Sequence, residues 1–155
     1  MKTFKLLNKI HILFFYKVVR FILRLDEVFL ETPDMGWVMN KALFAISFIQ
    51  MVWFFIFWTI GEIISEKTSL YFFENKLIPI ILILAIISVF NYFTLIYKKR
   101  WFKYDEEFAT YSKTKNRIIN IAILSFYIFS IILYFIVVDI WADLRHAGEI
   151  PDFQG

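Results

Sequence analysis

Residues 42–61 read ALFAISFIQMVWFFIFWTIG, a run of 20 positions without a charge. Two more such runs follow, LIPIILILAIISVFNYFTLIY at 77–97 and IINIAILSFYIFSIILYFIVV at 118–138, each of 21 residues. A hydrocarbon core about 30 Å thick needs about 20 apolar residues at a rise of about 1.5 Å each. Charges frame every run: Lys41 and Glu62, Lys76 and Lys98, Arg117 and Asp139. The pattern predicts an all-α integral membrane protein with three transmembrane helices.

Composition agrees. Of 155 residues, 60% are hydrophobic and the mean hydropathy is +0.64. Residues 1–155 therefore form a single membrane domain, because the longest loops hold about 15 to 20 residues and an independent core needs about 40 or more. Cysteine is absent, which excludes disulfides, thiolate nucleophiles and Cys-ligated metal or Fe–S sites. The 20 Phe and 8 Tyr, with only 4 Gly and 3 Pro, match what an AT-rich genome tends to encode.

Charge placement sets the expected orientation. The segments before the first run and between the second and third hold 14 Lys/Arg and 7 Asp/Glu; the 62–76 loop and the 139–155 tail hold 3 and 7. Lys and Arg near span ends stay on the cytoplasmic side. An inner (plasma) membrane protein with its N-terminus cytoplasmic and its C-terminus outside is expected.

Residues 1–31 are expected to form an amphipathic helix lying in the interface. The apolar run after Lys9 is only seven residues before Lys17 and lacks a small-residue cleavage site, so it reads neither as a signal peptide nor as a fourth span. At about 100° per residue, Lys2, Lys5, Lys9, Tyr16, Lys17, Arg20, Arg24, Glu27 and Glu31 share one arc. Phe4, Leu7, Ile10, Phe14, Phe15, Val18, Phe21, Ile22, Leu25 and Phe29 occupy the rest. A basic stripe on an apolar body fits a helix in the headgroup layer, with Lys5, Lys9, Lys17, Arg20 and Arg24 facing anionic lipids. No nucleic-acid-binding fold accompanies the stripe. His11 lies on the apolar face and reads as a histidine packed against the bundle. Thr32 followed by Pro33 and Asp34 reads as the N-cap and start of the first spanning helix, with Trp37 as its interfacial anchor.

Polar residues inside the spans mark contacts, since each needs a partner in hydrocarbon. Asn40, Ser47, Gln50 and Gly61 share one line on the first helix; Ser88, Asn91 and Thr94 recur on the second; Asn120, Tyr127 and Tyr134 recur on the third. These stripes read as glue between helices, with a pore lining as the alternative. No ionisable Asp, Glu, Lys, Arg or His lies within any span, which disfavours an ion-coupled transporter.

The 98–117 loop is expected to form a cytoplasmic helical hairpin. Its Trp101, Tyr104, Phe108 and Tyr111 stripe rests on the N-terminal helix or docks a partner. In the outer tail, 139–155, Asp139, Asp143 and His146 share one face if the third helix continues, with Glu62 or Glu66 nearby; they are weak metal candidates. Residues 147–155 look irregular. No nucleotide-binding, haem or serine-hydrolase motif is present, so neither a cofactor nor a catalytic residue is assigned.

In general appearance the chain is similar to small bacterial inner-membrane immunity or accessory proteins, although no motif carries that resemblance. The function expected is a non-enzymatic multi-pass subunit acting through helix–helix contacts with another membrane protein or with copies of itself. A homo-oligomeric channel or membrane-disrupting effector is the alternative, and a membrane-embedded metalloenzyme ranks last.

Overall fold

A computed structural model describes residues 2–29, 32–65 and 77–150. Glu31, Glu66 and the rest of the 66–76 loop, and residues 151–155, lie outside the described residues. Every regular element described is helical: α1 (Lys2–Phe29), α2 (Met35–Ser65), α3 (Leu77–Asn91), a π-helical turn (Tyr92–Ile96), a 3-10 segment (Tyr97–Tyr104), α4 (Asp105–Ala109) and α5 (Lys113–His146). Three segments are long and apolar enough to cross a membrane: Met35–Ser65, Leu77–Lys99 and Lys113–His146. The chain has the make-up of a multi-pass membrane protein.

Local chemistry sets the helix ends. The cap of α2 is Asp34, not Thr32: its Oδ1 accepts from Gly36 N at 2.6 Å and Trp37 N at 3.3 Å. A carboxylate is a strong acceptor for the orphan amides of a first turn. Pro33 thus precedes the helix instead of opening it. Ser112 caps α5 in the same way, its Oγ accepting from Lys115 N at 3.2 Å. At the far end of α5, Gly148 adopts φ +77, which glycine tolerates without strain. Glu149 N bonds Leu144 O at 3.0 Å and Gly148 N bonds Arg145 O at 3.0 Å, the paired closure of a Schellman motif.

The chain between α3 and α5, which includes the 98–117 segment expected to form a hairpin, runs through the π turn, the 3-10 segment and α4. After Asn91 the helix widens into the π turn. The freed carbonyls are met by Thr94, whose hydroxyl donates to Phe90 O at 2.9 Å and Asn91 O at 3.2 Å. Lys98 and Lys99 then take left-handed backbone conformations (φ 56 and 53), which cost a non-glycine residue about 1 to 2 kcal/mol each. Beyond that break the 3-10 segment continues to Tyr104, and the five-residue α4 follows before α5.

The chain divides into two compact units: Met1–Ser47 with Ser88–Leu124, and Phe48–Ile87 with Ser125–Gly155. The first unit buries Ile12, Phe15, Tyr16 and Val19 of α1, Val38, Ala42 and Ile46 of α2, and Leu95 and Phe108. In the second, Val52, Ile56 and Val137 form a core on which Trp53, Ile60, Ile63, Leu133 and Tyr134 pack.

The surface of α1 carries three stripes rather than two. Ile12, Phe15 and Val19 turn inward, while Leu7, Ile10, Phe21, Leu25 and Val28 are exposed. The broad apolar face expected from the sequence is split by function: one edge packs, the other stays open. Tyr16, assigned to the polar arc, is buried because the Phe108 ring lies 5.3 Å away.

Candidate functional site

The strongest polar constellation lies in the first unit and joins three helices. Ser47 of α2 and Asn91 at the end of α3 are both fully buried, and Asn91 Nδ2 donates to Ser47 Oγ at 3.0 Å. His11 of α1, half-buried, faces the polar side chain of Asn91. Burial pushes the His11 imidazole below its ordinary range, and the neighbouring Asn91 amide offsets part of that shift. Asn91 is also the last residue before the π turn, a feature that tends to occur at functional positions. One residue from each of three separately read stripes or faces thus meets in one cluster.

A band of charge ties α1 to the 105–116 segment of the same unit. Lys9 pairs with Glu107 at 2.5 Å, Arg20 with Asp105 at 3.4 Å, and Lys17 Nζ donates to Asn116 Oδ1. Arg20 also lies 5.4 Å over the Tyr16 ring. Burial holds the Lys17 ammonium below the usual lysine range, and the positive charge of Arg24 adds to the effect. Asp26 at the end of α1 accepts from Lys41 of α2 at 2.8 Å. Lys9 and Glu107 are well exposed, at 39% and 44%, so screening limits that pair to about 1 kcal/mol or less. Of the five residues expected at lipid headgroups, Lys9, Lys17 and Arg20 therefore have partners within the chain, while Lys5 and Arg24 are exposed.

The second unit has its own polar link. Trp53 Nε1 donates to Ser130 Oγ at 2.9 Å, and Ser130 donates to Phe126 O at 2.6 Å. The Trp53 and Phe126 rings stack at 5.9 Å. Sequence reading missed Ser130, although it lies three residues after Tyr127 and four before Tyr134, on the face already marked.

The other expected residues divide by exposure. Asn40 and Asn120 are exposed; Gln50, Ser88, Tyr127 and Tyr134 are half-buried. Gly61 does not serve close helix approach, because a Cβ built there would meet nothing within 4 Å. Helix α5 does run through Asp139, Asp143 and His146, yet all three are exposed. Among the described residues no three His, Asp or Glu side chains gather closely enough to hold a metal ion. The side chains of Trp101 and Tyr104 lie outside the described residues.

A cavity of about 230 Å³ opens in the second unit, lined by Trp58, Glu62, Tyr134, Trp141 and their apolar neighbours. Glu62 is 4% exposed and its Oε1 accepts from Trp58 Nε1 at 3.0 Å. Compared with protein-family models, with curated proteins and with solved structures, the chain matches none.

Proposed function

We propose that this chain is a small multi-pass subunit of a bacterial inner membrane that acts non-enzymatically, through helix–helix contacts with another membrane protein or with copies of itself. In this reading the N-terminus and the 98–117 segment face the cytoplasm, the C-terminus faces outward, and Lys5 and Arg24 meet anionic headgroups. The role resembles that of an accessory or immunity-type protein.

The observation that carries the reading is the bond from Asn91 to Ser47. Two fully buried polar groups of the spans bond to each other within the chain, which supports glue over a pore lining. What the spans offer outward is mainly apolar: Phe44, Phe48, Ile86, Phe90, Ile128 and Phe135 are all exposed, with Asn120 a polar exception within the 118–138 run. Such faces suit lipid or the apolar helix of a partner.

Reconstitution in liposomes tests it. The purified protein is expected to pass no ions. Photo-crosslinkers at Phe48 and Ile128 are expected to yield a discrete protein adduct in native membranes. A reproducible current abolished by Gln50→Leu, with no adduct at either position, makes the chain a pore instead.

A further inference from the structure

We infer that the cavity in the second unit binds a membrane glycerolipid by its acyl-ester group, the ester carbonyl accepting from the indole N–H of Trp141. Two indoles line this cavity, and they differ. The Trp58 N–H donates to Glu62 Oε1 at 3.0 Å. The Trp141 N–H is buried and meets no hydrogen-bond acceptor among the described residues. Buried donors in folded proteins are nearly always matched, so this one calls for an acceptor. The Arg145 guanidinium lies 4.7 Å over the Trp141 ring and braces it in place.

Depth in the bilayer selects the acceptor. Val138 closes the third uncharged run and Trp141 lies just beyond it, while Trp58 and Pro79 lie close to the ends of the other two runs. All four line the cavity, which therefore sits where hydrocarbon gives way to headgroups. Tryptophan collects at that level, its ring in apolar surroundings and its N–H bonded, and a glycerolipid carries its ester carbonyls there. The volume of about 230 Å³ exceeds the roughly 150 Å³ of an apolar cavity that accommodates benzene, so carbons of the acyl chain enter with the carbonyl. Phe55, Ile80 and Val138 give that chain an apolar wall. An ammonium would bring only donors to a buried donor, whereas an ester brings only acceptors. The inference rests on the three helices crossing a bilayer and not on the subunit role.

The test uses the purified full-length protein in a non-ionic detergent, with bound lipid read by native mass spectrometry. Dioleoyl phosphatidylcholine is compared with its diether analogue, which keeps the headgroup and chains but lacks the carbonyls. The diester is expected to bind saturably, and the diether about threefold to tenfold more weakly. Trp141→Phe keeps a ring but loses the donor, and is expected to hold the two lipids equally, at the diether level. Val138→Phe, which fills the space and keeps the donor, is expected to weaken both, with its helical circular dichroism unchanged. Equal affinity of the native protein for the two lipids, or an ester preference that survives Trp141→Phe, overturns the inference. Each is a ratio within one protein, so a less stable variant does not mask it. The absence of saturable binding overturns it too. The liposome and crosslinking results bear on the proposed function and not on this site.

Discussion

The amide of Asn91 donates to the hydroxyl of Ser47 across 3.0 Å, and neither side chain has measurable exposure. Ser47→Ala removes the acceptor and leaves the amide with one bond fewer. Interhelical polar bonds in membranes average about 0.6 kcal/mol and reach about 2. The variant is expected to lose stability in that range by thermal unfolding in detergent. Asn91→Leu is expected to lose more, since it leaves the Ser47 hydroxyl without its donor and forces a larger apolar shape into a fully buried place.

Packing outweighs charge where α4 meets α1. Phe108 is 1% exposed, and Phe108→Ala is expected to cost about 3 to 5 kcal/mol. Its neighbour Glu107 makes an exposed pair with Lys9, and Glu107→Gln is expected to cost about 1 kcal/mol or less. Comparing the two melting midpoints checks the ranking.

Acid is expected to destabilise the fold through His11. Its folded-state pKa lies below the ordinary 6.5, so at a pH about a unit or more above 6.5 the residue is neutral whether folded or unfolded and contributes almost no slope. As the pH falls through 6.5 the unfolded chain takes up the proton first, and stability falls with it. Melting curves between pH 7.5 and 5.5 are expected to show this loss, and His11→Gln is expected to flatten it.

Trp53 serves two roles that substitution separates. Trp53→Phe keeps a ring to stack on Phe126 but loses the donor to Ser130. Trp53→Ala loses both and is expected to cost about 3 to 5 kcal/mol. The phenylalanine variant is expected to cost less than half of that, read from the same unfolding transition.

The spans were legible because hydropathy and framing charges alone define them. Ser47, Asn91 and His11 were each marked on a polar stripe or a helix face. That they meet was not readable, since meeting depends on how three helices rotate against one another. Thr32 misled because its dipeptide with Pro33 looks like a helix start, whereas the carboxylate of Asp34 competes better for the first amides. The break at Lys98 and Lys99 has no sequence signal, as neither residue favours a positive φ. Glu62 was legible as a charge framing a span, but its burial comes from Trp58 and from the cavity wall, which no periodicity reports.

Crossing parity is the most direct test of the account. The chain has no cysteine, so single cysteines at Lys113 and Glu149 can be labelled uniquely. The two positions flank α5, and three spans with a cytoplasmic N-terminus put them on opposite sides of the membrane. A membrane-impermeant maleimide added to intact cells is expected to label the Glu149→Cys protein, and to label the Lys113→Cys protein only after permeabilisation. Labelling of both variants from the same side would contradict the three-span reading.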